Sequence, residues 1–269
     1  MDGRATLAQD ARFFDTGQET DDVFVPVEQP LDILVDGRLA AVLMRLPGQE
    51  KELALGFCLT EGWIESLDDV LLLHHCGSAD PSQPEQPGDM VNRVLIRTSR
   101  AEQRQPDSQP RLITSGCGQA PLRNLLDVLV PVPDGEPLNR SVVLACRTAL
   151  LSEQTHYATT RGTHAAGIFD RSGALLAMGE DIGRHNAVDK AIGRALLLGL
   201  SLRQTALIVT GRVSFEMVQK AVRAQIPIVA SLSASTSLGV EIAQKMNVTL
   251  VASLRGNRGR ILTHPERLA

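Results

Sequence analysis

From Thr159 to Leu254 the chain alternates short apolar runs of strand length with segments of helix length. That alternation restricts the region to an open α/β sheet with helices laid against it. Strands are expected at Ala165–Phe169, Leu175–Gly179, Ala206–Thr210, Ile228–Ser231 and Thr249–Leu254, and helices at Arg184–Gly199, Ser214–Gln225 and Ser235–Asn247. Ligands of such sheets gather at the carboxyl ends of the strands. The segments 179–186, 210–214, 231–237 and 254–260 are therefore expected on one rim.

The preceding residues read differently. Residues 1–20 are expected as a flexible tail. Residues 21–110 are expected as a small N-terminal mixed α/β domain, with flexible loops at 77–89 and 99–110 that are rich in Pro, Gln and Ser. Two alternating runs flank Asp36-Gly37, a hairpin signal. Glu50–Trp63 reads as a helix, Met90–Thr98 as a strand and Arg140–Gln154 as a further helix. Residues 111–269 are expected as the C-terminal domain that carries the site.

With 269 residues, 43% of them apolar, the chain can build one large core or two ordinary ones. The net charge is −4 and no long run has a single sign, which argues against broad nucleic-acid binding. No apolar run reaches the roughly 18–20 residues of a membrane span. The first residues lack the basic-then-apolar pattern of a secretory signal, so a cytoplasmic, membrane-free protein is expected. There is no P-loop, nucleophile elbow or dinucleotide fingerprint.

The polar stretch Gly179-Glu180-Asp181-Ile182-Gly183-Arg184-His185-Asn186-Ala187-Val188-Asp189-Lys190 runs straight into a helix. A buried helix cannot carry that many charges unpartnered, so the segment reads as a site on the first turn. Cys117 stands between Gly116 and Gly118 after a short apolar run, where the thiol is accessible and neighbouring N–H groups can favour the thiolate. It is the best nucleophile candidate, with an ordinary loop cysteine as the other reading. Cys58 and Cys146 read as core residues. His74-His75-Cys76 cannot all face one ion, and no metal site is expected. His164 is either a base on the rim or a residue packed at a strand start. Ser214 and Ser235 are either plain N-caps or parts of an anion site at helix N-termini. Arg255, Arg258 and Arg260, spaced by Gly and Asn, read as an anion clamp after the last strand.

Taken together, these pieces resemble the FdhD family, the sulfurtransferases that mature formate dehydrogenase. The resemblance runs from about Glu28 to Leu268. It includes Leu53-Ala54-Leu55-Gly56-Phe57, Leu59-Thr60-Glu61-Gly62, Thr163-His164-Ala165-Ala166, the Asp181–Lys190 stretch, Thr210-Gly211-Arg212 and Thr236-Ser237-Leu238. It implies a C-terminal cytidine-deaminase-like open sheet in a homodimer. It further implies a sulfur carrier that takes sulfur from a cysteine desulfurase as a persulfide. The sulfur then passes to the molybdenum cofactor, Mo-bis(molybdopterin guanine dinucleotide), before insertion into formate dehydrogenase. Cys117 matches the first cysteine of the family's Cys-Gly-x-Cys-Gly motif. Ser253, Leu254, Arg255, Gly256, Asn257 and Arg258 match its cofactor-contact segment.

The second motif cysteine is replaced by Ala120 and the following glycine by Pro121. A persulfide needs one sulfur, but a two-cysteine relay is not available at this motif. A cofactor-binding chaperone that moves no sulfur therefore stands as the alternative, and a nucleotide-binding regulator as a third reading. Arg184, His185 and Asp189 are expected either to contact the cofactor or to brace the dimer or the rim by charge pairing. The zinc deaminase signature, His-x-Glu followed by Pro-Cys-x-x-Cys, is absent.

Overall fold

The computed structural model describes residues 5–10, 23–76, 92–100 and 129–269, with the backbone alone for 111–113. Two larger sheets organise it. In the first, the hairpin of β3 (Gln29–Val35) and β4 (Arg38–Arg45) turns at Asp36-Gly37. Both turn residues have positive φ, 50° and 79°, as a two-residue hairpin turn of matched twist requires. β5 (Val70–Cys76) and β6 (Arg93–Thr98) extend one side and β7 (Arg111–Ile113) the other, in the order β5-β6-β3-β4-β7. β7 pairs with β4, so the expected boundary at 110/111 falls ahead of a strand that belongs to the first sheet.

The second sheet contains β8 (His164–Phe169), β9 (Leu175–Asp181), β10 (Ala206–Val209), β11 (Ile228–Ser231), β12 (Thr249–Arg255) and β13 (Arg258–Ile261), in the order β13-β12-β11-β10-β8-β9. β10, β11 and β12 run parallel, whereas β8 runs antiparallel to β10 and β9. The carboxyl ends of β9, β10, β11 and β12 therefore share one edge, and the rim expected from sequence exists. β10 and β11 are buried along their whole length and read as unbroken apolar runs.

Helix α1 (Glu50–Thr60) and, from the second region, α4 (Arg184–Leu197), α5 (Phe215–Arg223) and α6 (Ser237–Lys245) lie on one face of the second sheet or between the two sheets. One continuous core runs from Leu31 and Ile33 of β3 through Leu55 of α1 and Ile192 of α4 to Leu207 of β10. The two expected regions thus share a core. The helices α1 and α4 cross with almost no gap. A Cβ added to Gly193 would lie 1.8 Å from the Glu52 carbonyl oxygen, and one at Gly56 would meet Asp189 O at 1.9 Å. Only glycine at both positions permits this approach.

The opposite face of the second sheet carries α2 (Arg140–Glu153), capped by Asn139 Oδ1, which accepts from Ser141 N at 2.9 Å. The short α3 (Thr155–Thr160) follows it. Leu138, Val143, Cys146, Phe169, Val251 and Leu254 form a second, smaller core there. Within the expected N-terminal tail, β1 (Thr6–Gln9) pairs antiparallel with β2 (Val23–Pro26), so part of the tail is a strand. The expected loop at 77–89, and residues 101–110 of the loop expected at 99–110, lie outside the described residues. Among the described residues no helix is long and apolar enough to cross a membrane.

Candidate functional site

The turn between β12 and β13 is built by Gly256, at φ 53°, and Asn257. Three residues before Gly256, in the same strand end, Ser253 takes φ 56° and the ladder register shifts between Ala252 and Arg255. A bulge of this kind re-aims side chains at the end of a strand. Here the hairpin tip and α2 enclose a cavity of about 780 Å³. Arg140, Arg255, Arg258 and Arg260 supply its charge, and Val143, Leu144, Val251 and Ile261 its apolar wall. Its volume falls in the range of roughly 300–1,000 Å³ typical of small-molecule sites. Arg140 is anchored by donating from Nε to the Leu268 carbonyl at 3.1 Å. The side chains of Arg255, Arg258 and Arg260 have no hydrogen-bond or ion-pair partner among the described residues. An apolar slot edged by free guanidinium groups suits a planar base joined to phosphate.

All six residues of the segment Ser253–Arg258 lie at this strand end. Ser253, Leu254, Arg255, Asn257 and Arg258 line the cavity, with Leu254 buried as part of its floor. Arg140 had no local signal as a site residue. It reaches the cavity from a helix more than a hundred residues earlier in the chain.

The polar stretch at 179–190 divides into two groups. The first faces inward and joins the two sheets. Asp181, fully buried, accepts from Leu46 N at 3.1 Å, Gly183 N at 2.9 Å and Asn186 Nδ2 at 3.0 Å, and pairs with Lys190 Nζ at 2.8 Å. Lys190 also donates to the carbonyls of Leu46 and Glu180, and Asn186 donates to that of Met44. Asp189 accepts from Thr60 Oγ1 at 2.9 Å, and Lys220 Nζ lies 2.9 and 2.8 Å from its two carboxylate oxygens while also donating to Thr60 Oγ1 at 2.9 Å. Burial alone would lower the Lys220 ammonium; Asp189 and Glu61 outweigh it and hold the group above its ordinary value. Asp189 pairs charges as one expectation had it, but inside the core, with Thr60 at the end of α1 and Lys220 of α5, rather than at the rim. Glu180 likewise ties the strand to α3, accepting from His156 N, Tyr157 N and Thr163 Oγ1.

The second group faces the rim. Arg184 and His185 open α4 beside the loop that follows β10. His185 Nε2 lies 3.0 Å from Glu216 Oε2 at an angle outside hydrogen-bond geometry, and the contact keeps the Glu216 carboxyl below its ordinary value. His164 Nδ1 lies 3.4 Å from Thr210 Oγ1. Burial, and then the charges of Arg184, His185 and Arg212, hold the His164 imidazole below its ordinary value and favour the neutral ring.

Cys58 and Cys146 are buried, as expected of core residues, and burial pushes the Cys146 thiol up to about 11. Cys76 is partly exposed. Cys117, Ala120 and Pro121 lie outside the described residues. No cluster of metal ligands occurs among the described residues.

The fold and site define a two-sheet α/β protein with an arginine-edged cavity at the carboxyl ends of its strands. The chain belongs to the FdhD/NarQ family, whose profile matches residues 26–269. Proteins named sulfur carrier protein FdhD are similar over most of their length. The one from Anaeromyxobacter dehalogenans (strain 2CP-C) is 39% identical, across 90% of this chain and 87% of its own. The one from Sulfolobus acidocaldarius is 36% identical, across 91% of each chain. A solved structure described as a formate dehydrogenase accessory protein from Desulfotalea psychrophila superimposes with a TM-score of 0.78. It is 26% identical, and the match covers 98% of this chain and 100% of that one.

Proposed function

We propose that the protein is a sulfur carrier in the maturation of a formate dehydrogenase. Cys117 accepts sulfur from a cysteine desulfurase as a persulfide and passes it to Mo-bis(molybdopterin guanine dinucleotide), the cargo. The observation that carries the reading is the cavity at Ser253–Arg258. It offers an apolar slot for guanine and guanidinium groups for phosphate, at the segment the family resemblance assigns to the cofactor. Arg255 and Arg258, free of internal partners, would take the phosphates, with Arg140 fixed behind them. Ser253 and Asn257 would supply hydrogen bonds. The cysteines buried in the two cores, Cys58 and Cys146, are poor substitutes for Cys117 because a thiolate is the reactive form and burial disfavours it.

Calorimetric titration with GDP tests the cavity. Wild type should bind, and R255Q/R258Q should bind at least about tenfold more weakly, since two charge-assisted contacts are lost. Equal affinity in both proteins would remove the cavity from the account.

The replacement of the second motif cysteine by Ala120 favours a second reading, a cofactor-binding chaperone that moves no sulfur. The two part on Cys117→Ala. A carrier loses client activation, and a chaperone retains it.

A further inference from the structure

We infer that the rim group formed by Arg184, His164, Ser214 and Arg212 is a second anion site, separate from the arginine-edged cavity, that takes a phosphate group. The inference does not depend on the nucleotide reading of the cavity. His164 shares its side of β8 with Ala166 and Ile168, which belong to the core under α4 and α5. The cavity lies on the other face of the sheet, with Val251 and Leu254. β8 and β12 are three strand spacings apart, roughly 14 Å. The two groups are therefore distinct places on one rim.

Three observations point to an anion as the ligand. Arg184 Nε is fully enclosed and has no hydrogen-bond acceptor, and its guanidinium makes no ion pair among the described residues. Ser214 Oγ is likewise enclosed and unpartnered. It stands at the N-cap of α5 without bonding the helix, so the first N–H groups of α5 lack a side-chain cap. Buried polar groups are almost always satisfied, and an exception calls for a partner. Gly211 makes room for the arrangement. A Cβ there would sit 2.9 Å from Arg184 Cβ and 3.5 Å from His164 Nδ1.

The charges agree with this assignment. Arg184 and Arg212 contribute two fixed positive charges; of the two carboxylates nearby, Glu216 is turned to His185 and Asp181 is paired with Lys190. Donors come from three places: the start of α4, the loop 210–214 and the first turn of α5. A carboxylate has only two oxygens to meet them, whereas a phosphate group presents three or four. The neutral His164 beside Thr210 can donate or accept toward such a ligand.

Titration of the whole chain with inorganic phosphate, followed by calorimetry, tests the site. Wild type should bind. In the R255Q/R258Q background, which removes the phosphate contacts of the cavity, binding should persist; there R184Q should weaken it at least about tenfold and S214A about threefold. Melting temperatures verify folding, and S214A carries the test if R184Q does not fold. Unchanged affinity in folded R184Q and in S214A would overturn the inference, as would loss of phosphate binding in R255Q/R258Q alone. Repeating the titration with saturating GDP separates two sources of the same chemistry. Exclusion of phosphate assigns the site to a phosphate group of the nucleotide, and additive binding assigns it to a free anion; either upholds the site. Failure of GDP to bind, with phosphate binding intact and sensitive to R184Q, would remove the nucleotide reading and leave this one standing.

Discussion

Asp189 and Lys220 show how single residues hold this protein together. Each is buried, and each satisfies the other within 2.8 Å. Replacing Lys220 by Met leaves the Asp189 carboxylate enclosed with Thr60 as its remaining side-chain donor, and should cost about 3–5 kcal/mol. Urea unfolding measures it; a loss below about 1 kcal/mol would contradict the assigned role. His164 has a pH signature. Its folded pKa lies below the ordinary 6.5, so the unfolded chain binds a proton first as pH falls. Its contribution to stability is present above about pH 6.5 and is lost as pH drops through the window down to the folded value. H164N should flatten that part of the stability profile, and a variant profile as steep as wild type would count against the buried neutral ring. The sequence marked these residues as unusual without separating their roles. Asp181, Asp189 and Lys190 read as part of a site on the first turn because their partners, Leu46 and Thr60, come from a region more than a hundred residues away.

Elements differ in how plainly the chain announces them. β10 and β11 are apolar runs buried along their length, and the Asp36-Gly37 turn has the residues its dihedral angles demand, so all three were legible. β13, Arg258–Ile261, was not expected as a strand. Its sequence Arg-Gly-Arg-Ile has no alternation, and only pairing with β12 makes it one. β1 and β7 are similar cases, since three or four residues gain strand structure only from a neighbour. The rim followed from the strand order, but the face on which the cavity opens did not, because it depends on where α2 lands. The crossing of α1 and α4 carries a prediction of its own. Gly193→Ala puts a methyl group against the Glu52 carbonyl and forces the helices apart, at a cost of about 3 kcal/mol or more. A melting temperature within a degree or two of wild type would show that the helices are not packed as described.

At the scale of the whole molecule, one core spans both sheets, from Leu31 to Leu250. The bonds of Asp181 and Lys190 to Leu46, and of Asp189 and Lys220 to Thr60, tie the same regions together. Denaturation should therefore be a single transition, with fluorescence and circular dichroism tracing the same curve. Two separated transitions would mean that the regions fold independently. This rigid frame presents an arginine-edged cavity on one face of a rim and an unpaired Arg184 on the other, which suits a protein that carries a phosphorylated cargo. In the proposed function Cys117 carries the sulfur without the second motif cysteine. Intact-protein mass spectrometry after incubation with a cysteine desulfurase and cysteine tests this step. A gain of about one sulfur atom is expected in wild type, reversed by a reductant and absent from Cys117→Ala. No gain in wild type, with a known persulfide acceptor labelled in parallel, would contradict it and leave the chaperone.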